Sequence, residues 1–182
     1  MKNKPDILLL SDLWGKENSD WMDLYLQPLS EYFKITYYDC SELAEVDKSI
    51  YTEEHLHKQF VKGGIENAVE NLLNKENKFF TIVGFSIGGL IAWKACLSQL
   101  STNNLYAISS TRLRYETIKP STNIELFYGV DDQHKPSEEW FNQLNTLCCV
   151  ASAWLISISL HKGALTSIFI FLSDQRRVEL RL

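Results

Sequence analysis

The sequence predicts an α/β protein, a three-layer α/β/α sandwich around a mainly parallel sheet. Three observations carry that expectation. Short apolar runs that suit strands alternate with helical patterns along the 182 residues. Two of the runs, Ile7–Leu10 and Phe79–Val83, are almost unbroken by polar residues, as in strands covered on both faces. No internal repeat or low-complexity linker divides the chain, and its length supports one substantial core, so residues 1–182 read as a single domain.

Taken in order, Asp6–Leu10 is the first strand, and it runs into the loop Ser11-Asp12-Leu13-Trp14-Gly15. Ser19 or Asp20 is placed to cap a helix whose apolar positions Trp21, Leu24, Tyr25, Leu29 and Tyr32 keep helical spacing. Pro28 inside that pattern predicts a kink or an early stop. Lys34–Cys40 is β-branched and aromatic, a second strand, followed by a polar connection over Ser41–Ser49. A helix is expected within Thr52–Asn74, with Gly63-Gly64 weakening its middle and two segments possible. Phe79–Val83 is a buried strand, and a broadly apolar helix begins near Ile87. Ser101–Asn104 reads as a turn, and Leu105–Ser109 and Ile124–Tyr128 as further strands. Glu138–Leu147 reads as a helix capped by Ser137. From Leu147 to Leu172 Lys162 is the only charged residue besides His161. A buried last strand over Ala153–Ser159 and an apolar final helix are expected there. Neither apolar run is long enough to cross a bilayer.

The chemistry centres on Gly84-Phe85-Ser86-Ile87-Gly88, which lies between a strand and a helix. A serine projected from so sharp a turn needs an unusual backbone conformation, and the residues two before and two after it then approach closely. Glycine at both places removes the clash. Unpaired N–H groups at the following helix start face any oxyanion formed at Ser86. In a parallel sheet the active site lies at the carboxyl ends of the strands. Ser11–Gly15, Ser86, Ser109–Arg112, Asp131–Pro136 and His161 should therefore converge.

In this context G-F-S-I-G resembles the nucleophile elbow of the α/β-hydrolase family. Gly129-Val130-Asp131-Asp132, closed by Pro136, is similar to the family's acid-bearing turn. The resemblance implies a catalytic triad of Ser86, Asp132 and His161 in the family's chain order, with Asp131 as the alternative acid and His134 as the alternative base. It places the oxyanion-hole N–H groups on Leu13 and Ile87. Asp12 stands where the family commonly has glycine, and a carboxylate there would oppose an oxyanion unless turned away or paired. Trp14 and Phe85 are the candidate pocket residues. Only about fifteen residues separate the strands that flank the usual lid insertion, so no lid is expected. The implied activity is hydrolysis of a small-molecule ester or thioester through an acyl-enzyme, with no metal or organic cofactor. A degenerate hydrolase that only binds, or an acyltransferase on the same scaffold, is the alternative.

Bulk properties exclude other classes. A net charge of −5 leaves no electrostatic footprint for nucleic acid or for an anionic membrane surface. His55 and His57 stand two apart, on different faces of a helix, which disfavours a metal pair. Cys40, Cys96, Cys148 and Cys149 show neither C-x-x-C spacing nor clustering with histidine. They fit free thiols in a reducing cytoplasm.

Overall fold

The computed structural model describes residues 4–17, 19–151, 154–159 and 167–172. Six strands form one sheet: β1 (Asp6–Leu10), β2 (Lys34–Tyr38), β3 (Lys78–Phe85), β4 (Ser101–Ile108), β5 (Asn123–Gly129) and β6 (Leu147–Ala151). Their order is β2-β1-β3-β4-β5-β6, and every neighbouring pair is parallel. The chain steps from β1 outward to β2 and then returns to build the other side from β3. This puts the topological switch point between β1 and β3. Register pairs Leu10 with Gly84 and Phe85 with Ile108, so Ser11, Ser86 and Ser109 follow on neighbouring strands at one end of the sheet.

Alternation along the strands separates two cores. On one face Ile7, Leu9, Val83, Phe85, Tyr106, Ile108 and Phe127 pack with Met22, Tyr25 and Leu29. These last residues come from a short 3-10 turn (Asp20–Met22) and from α1 (Asp23–Ser30). On the other face Leu8, Leu10, Ile82, Leu105, Ala107, Leu126 and Tyr128 meet a larger helical layer. That layer comprises α2 (Cys40–Leu43), α3 (Glu53–Gln59), α4 (Ile65–Lys75), α5 (Ile87–Ser98) and α6 (Glu138–Gln143). Helices on both faces of a parallel sheet make the expected α/β/α sandwich. Among the described residues no helix is long and apolar enough to cross a membrane.

The helix boundaries follow the sequence reading at Gly63-Gly64 and Pro28 and differ from it elsewhere. The 52–74 helix is broken, with Gly63 at φ +126° in the kink between α3 and α4. Pro28 lies inside α1, which ends two residues later at Ser30. Ser19 makes no side-chain cap, its hydroxyl donating instead to the Lys16 carbonyl (2.9 Å). α2 occupies the start of the expected polar connection, because Asp39 caps it by accepting from the Ser41 and Glu42 N–H groups. The polar Ser101–Asn104 is not a turn but the start of β4, paired to β3 from Lys78 onward.

The C-terminal expectations need larger correction. α6 stops at Gln143, and Leu147–Ala151 is the last strand of the parallel sheet, paired with β5 over Glu125–Gly129. β7 (Trp154–Ser159) is a strand as expected, but it belongs to a separate two-stranded sheet. Its partner is β8 (Ser167–Leu172), antiparallel to it, where a final helix had been expected. The β-branched and aromatic content of SIFIFL favours extended backbone over helix.

Candidate active site

The turn between β3 and α5 is held by contacts that leave no space for side chains. Ser86 has φ +47° and ψ −116°, a conformation that costs an L-residue about 1–3 kcal/mol and persists only under strong constraint. A Cβ on Gly84 would lie 2.6 Å from the Gly88 backbone and from the Gly89 Cα. One on Gly88 would lie 2.3 Å from the Ser11 carbonyl oxygen. The two glycines of the motif thus let the turn close on itself and let it press against the end of β1. The Ser86 N–H donates to the Ile108 carbonyl (2.9 Å), tying the turn to β4. Ile87 is the first residue of α5, where an N–H has no intrahelical partner.

Beside it, the loop after β1 carries the other implied donor. Leu13 is buried, its carbonyl accepts from the Ser41 hydroxyl (2.7 Å), and its N–H makes no hydrogen bond among the described residues. Asp12 is also buried, and its Oδ1 accepts from the Trp14 N–H (2.9 Å). One oxygen of this carboxyl is therefore directed at its own loop. Burial, with the neighbouring Asp39 carboxylate adding to it, raises the Asp12 pKa to about 7. Asp39, 1% exposed, holds this loop from the other side by accepting from the Lys16 N–H (2.8 Å) and pairing with Lys48 (3.3 Å). Gly15, at φ +72°, lies so close to it that a Cβ would be 2.3 Å from the Asp39 oxygens.

The acid-bearing turn follows β5. Asp132 is half-buried and Asp131 is exposed. The Asp132 Oδ1 accepts from the backbone N–H of His134 (2.9 Å), which shapes the loop as an Asx turn. His134 is therefore held within the same loop as the acid. His161, the base implied by the resemblance, lies outside the described residues, in the segment between β7 and β8. Trp14 is partly buried against the larger core, with the Tyr51 ring edge-on at 5.3 Å. Phe85 is buried in the opposite core, 4.9 Å from the Trp21 ring and 4.7 Å from that of Tyr25. Among the described residues no three His, Cys, Asp or Glu side chains cluster as a metal-binding set.

Two residues that the sequence reading missed connect these parts. The Ser110 hydroxyl donates to the Ser86 carbonyl (2.7 Å), and the Tyr128 hydroxyl donates to the Ser110 carbonyl (2.8 Å). Asp132 lies close enough to Tyr128 to help raise its pKa, after burial. The elbow, the segment after β4 and the end of β5 are thus joined by buried hydrogen bonds. Their only sequence signal is position, one residue at or just past each strand end.

No protein-family model matches the chain, and neither does any curated protein. Solved structures do. A proposed dienelactone hydrolase from Klebsiella pneumoniae is 12% identical with a TM-score of 0.61, over 82% of this chain and 75% of that one. A cold-adapted esterase from an Arctic intertidal metagenomic library is 12% identical at a TM-score of 0.56, covering 82% and 74%. A 2-hydroxy-6-oxo-6-phenylhexa-2,4-dienoate hydrolase from Rhodococcus is 12% identical at 0.55, covering 81% and 82%. Identities this low speak for backbone architecture only. The chain has the α/β-hydrolase fold.

Proposed function

We propose that this protein is a serine hydrolase that cleaves a carboxylic ester or thioester of a small molecule. The observation that carries the reading is the Ser86 backbone at φ +47° on a strand–helix turn, which two glycines close to van der Waals contact. Strain of this kind is retained where the surroundings over-determine it, and here it holds a hydroxyl at the carboxyl end of a parallel sheet beside the switch point. The hydrolase names of the fold neighbours agree with it.

In the proposed reaction the Ser86 Oγ attacks the acyl carbon and His161 takes its proton. Asp132 fixes the histidine tautomer and stabilises the imidazolium. The Ile87 and Leu13 N–H groups hold the oxyanion of the tetrahedral intermediate. Its collapse breaks the bond to the leaving oxygen or sulfur, which receives the proton from the imidazolium. Water, activated by the same histidine, then releases the acyl group and restores Ser86. The segment 109–122 between β4 and β5 carries one short 3-10 helix, which suits a lidless site open to small substrates. A fluorophosphonate probe should label the protein, with labelling abolished in Ser86→Ala and esterase turnover lost with it. A folded, unlabelled protein would sink the proposal. Acyl transfer to added alcohols outpacing hydrolysis would replace it with a transferase.

A further inference from the structure

Directly downstream of the Ser86 support, a 3-10 helix (Thr111–Tyr115) presents two arginines. Arg112 is two residues past Ser110, and two residues of chain reach at most about 7 Å. Arg112 and Arg114 both lie over the exposed Tyr115 ring, with Cζ atoms 5.0 and 4.6 Å from its centroid. Arg114 also donates to the Thr111 carbonyl. Both arginines are half-buried, and neither is ion-paired to a carboxylate among the described residues. His57 of α3 lies near them, with Glu53 on the same helix. His57 is held below its ordinary pKa by burial, then by Arg112, Arg114 and His134, with Glu53 opposing. Asp132 shares the surroundings of Tyr128 with Arg114 without pairing to it.

This segment is firmly docked. Leu113 is fully buried, and the Glu116 and Ile118 carbonyls accept from the Trp140 and Trp93 indoles (2.7 and 2.9 Å). The Glu116 carboxylate pairs with Lys94 (3.2 Å). Two guanidinium groups over one ring, with no carboxylate partner among the described residues, repel each other. The arrangement suits an arriving anion, since planar guanidinium forks match the oxygens of a carboxylate or phosphate.

We propose that Arg112 and Arg114 bind an anionic group of the substrate, a carboxylate or a phosphate monoester. The Ser86 site then acts on esters or thioesters that carry a free oxyanion near the acyl bond. This rests on the hydrolase reading for its chemistry, but the anion site is measurable without turnover. In the Ser86→Ala chain, calorimetry would compare monomethyl succinate and monomethyl phosphate with neutral dimethyl succinate. At least one anion should bind about tenfold or more tightly than the neutral diester. The tighter of the two distinguishes carboxylate from phosphate recognition. Adding Arg112→Gln and Arg114→Gln together should bring that preference close to unity. Each single variant, expected to lower it in part, keeps the test open if the double variant does not fold. Equal binding of anion and neutral diester, or a preference that survives both substitutions, would overturn the proposal. Fluorophosphonate labelling of the unsubstituted chain reports on Ser86 separately. A labelled chain with no anion preference overturns this inference alone, whereas a preference in an unlabelled chain overturns the hydrolase reading alone.

Discussion

The turn after β3 and the loop after β1 lie side by side at the switch point of the sheet, and they are held by opposite means. The first is shaped by what is missing: without side chains at Gly84 and Gly88 the backbone closes on itself and onto the Ser11 carbonyl. The second is shaped by buried polar groups. Asp12, Asp39, Cys40 and Ser41 hold Ser11–Lys16 through hydrogen bonds that include partners 23 to 29 residues away. Steric closure is written in five consecutive residues. A polar network is not, because its partners meet only after β2 pairs with β1. The Ser86 turn is therefore stiff by construction, whereas the loop after β1 depends on the protonation and hydrogen bonding of its supports.

The harshest way to break the steric side is Gly88→Ala. Its Cβ would meet the Ser11 carbonyl oxygen at 2.3 Å and that of Leu10 at 2.8 Å, both backbone atoms of β1 and its loop. We expect a loss of about 5 kcal/mol or failure to fold, read from the urea midpoint of unfolding. The polar side should respond to pH instead. Asp12 titrates at about 7 when folded against 3.8 for the free side chain, so the folded state keeps a proton that the unfolded chain has lost. Its contribution makes stability fall as pH rises from about 4 to about 7, by up to about 4 kcal/mol, and level off above. Asp12→Asn keeps an acceptor for the Trp14 N–H and should flatten that slope, which unfolding curves at pH 5 and pH 8 would show. A slope unchanged by the substitution would mean that Asp12 is not the titrating group.

A smaller effect is expected from Asp39→Ala. It would strand the Lys16, Ser41 and Glu42 N–H groups and leave Lys48 without its buried partner. About 3 kcal/mol should be lost, with fluorophosphonate labelling of Ser86 slowed because the Leu13 loop loosens. Smallest is Ser110→Ala, which removes one buried hydrogen bond to the Ser86 carbonyl at a cost of about 1 kcal/mol. Its labelling rate should fall less than that of Asp39→Ala. The reverse order would show that the elbow, and not the loop after β1, is the softer half of the site.

Most of the architecture was legible because it rests on local patterns. Ile7–Leu10, Lys34–Tyr38, Phe79–Val83, Leu105–Ile108 and Ile124–Tyr128 all lie within strands of the parallel sheet. The unread parts share a cause. Ser101–Asn104 is polar and looks like a turn, yet it extends because β3 offers a ladder of backbone partners beside it. Leu147–Ala151 continues the apolar pattern of α6, and only its pairing with β5 makes it a strand. Ser110 and Tyr128 carry no motif, and their role appears only where β4 and β5 end together.

The sequence by itself determined the alternating architecture, the placement of Ser86 on a glycine-closed turn, and an aspartate turn downstream of it. These are consequences of side-chain periodicity and of steric exclusion within a few residues, which need no distant partner. Tertiary structure alone decided that Asp12 is directed at the Trp14 N–H and desolvated. It also decided that Ser110 and Tyr128 join the elbow to β5, and that two arginines with no carboxylate partner among the described residues stand near them. Burial, desolvation and charge proximity depend on which strands become neighbours, and a parallel sheet makes neighbours of segments far apart in the chain.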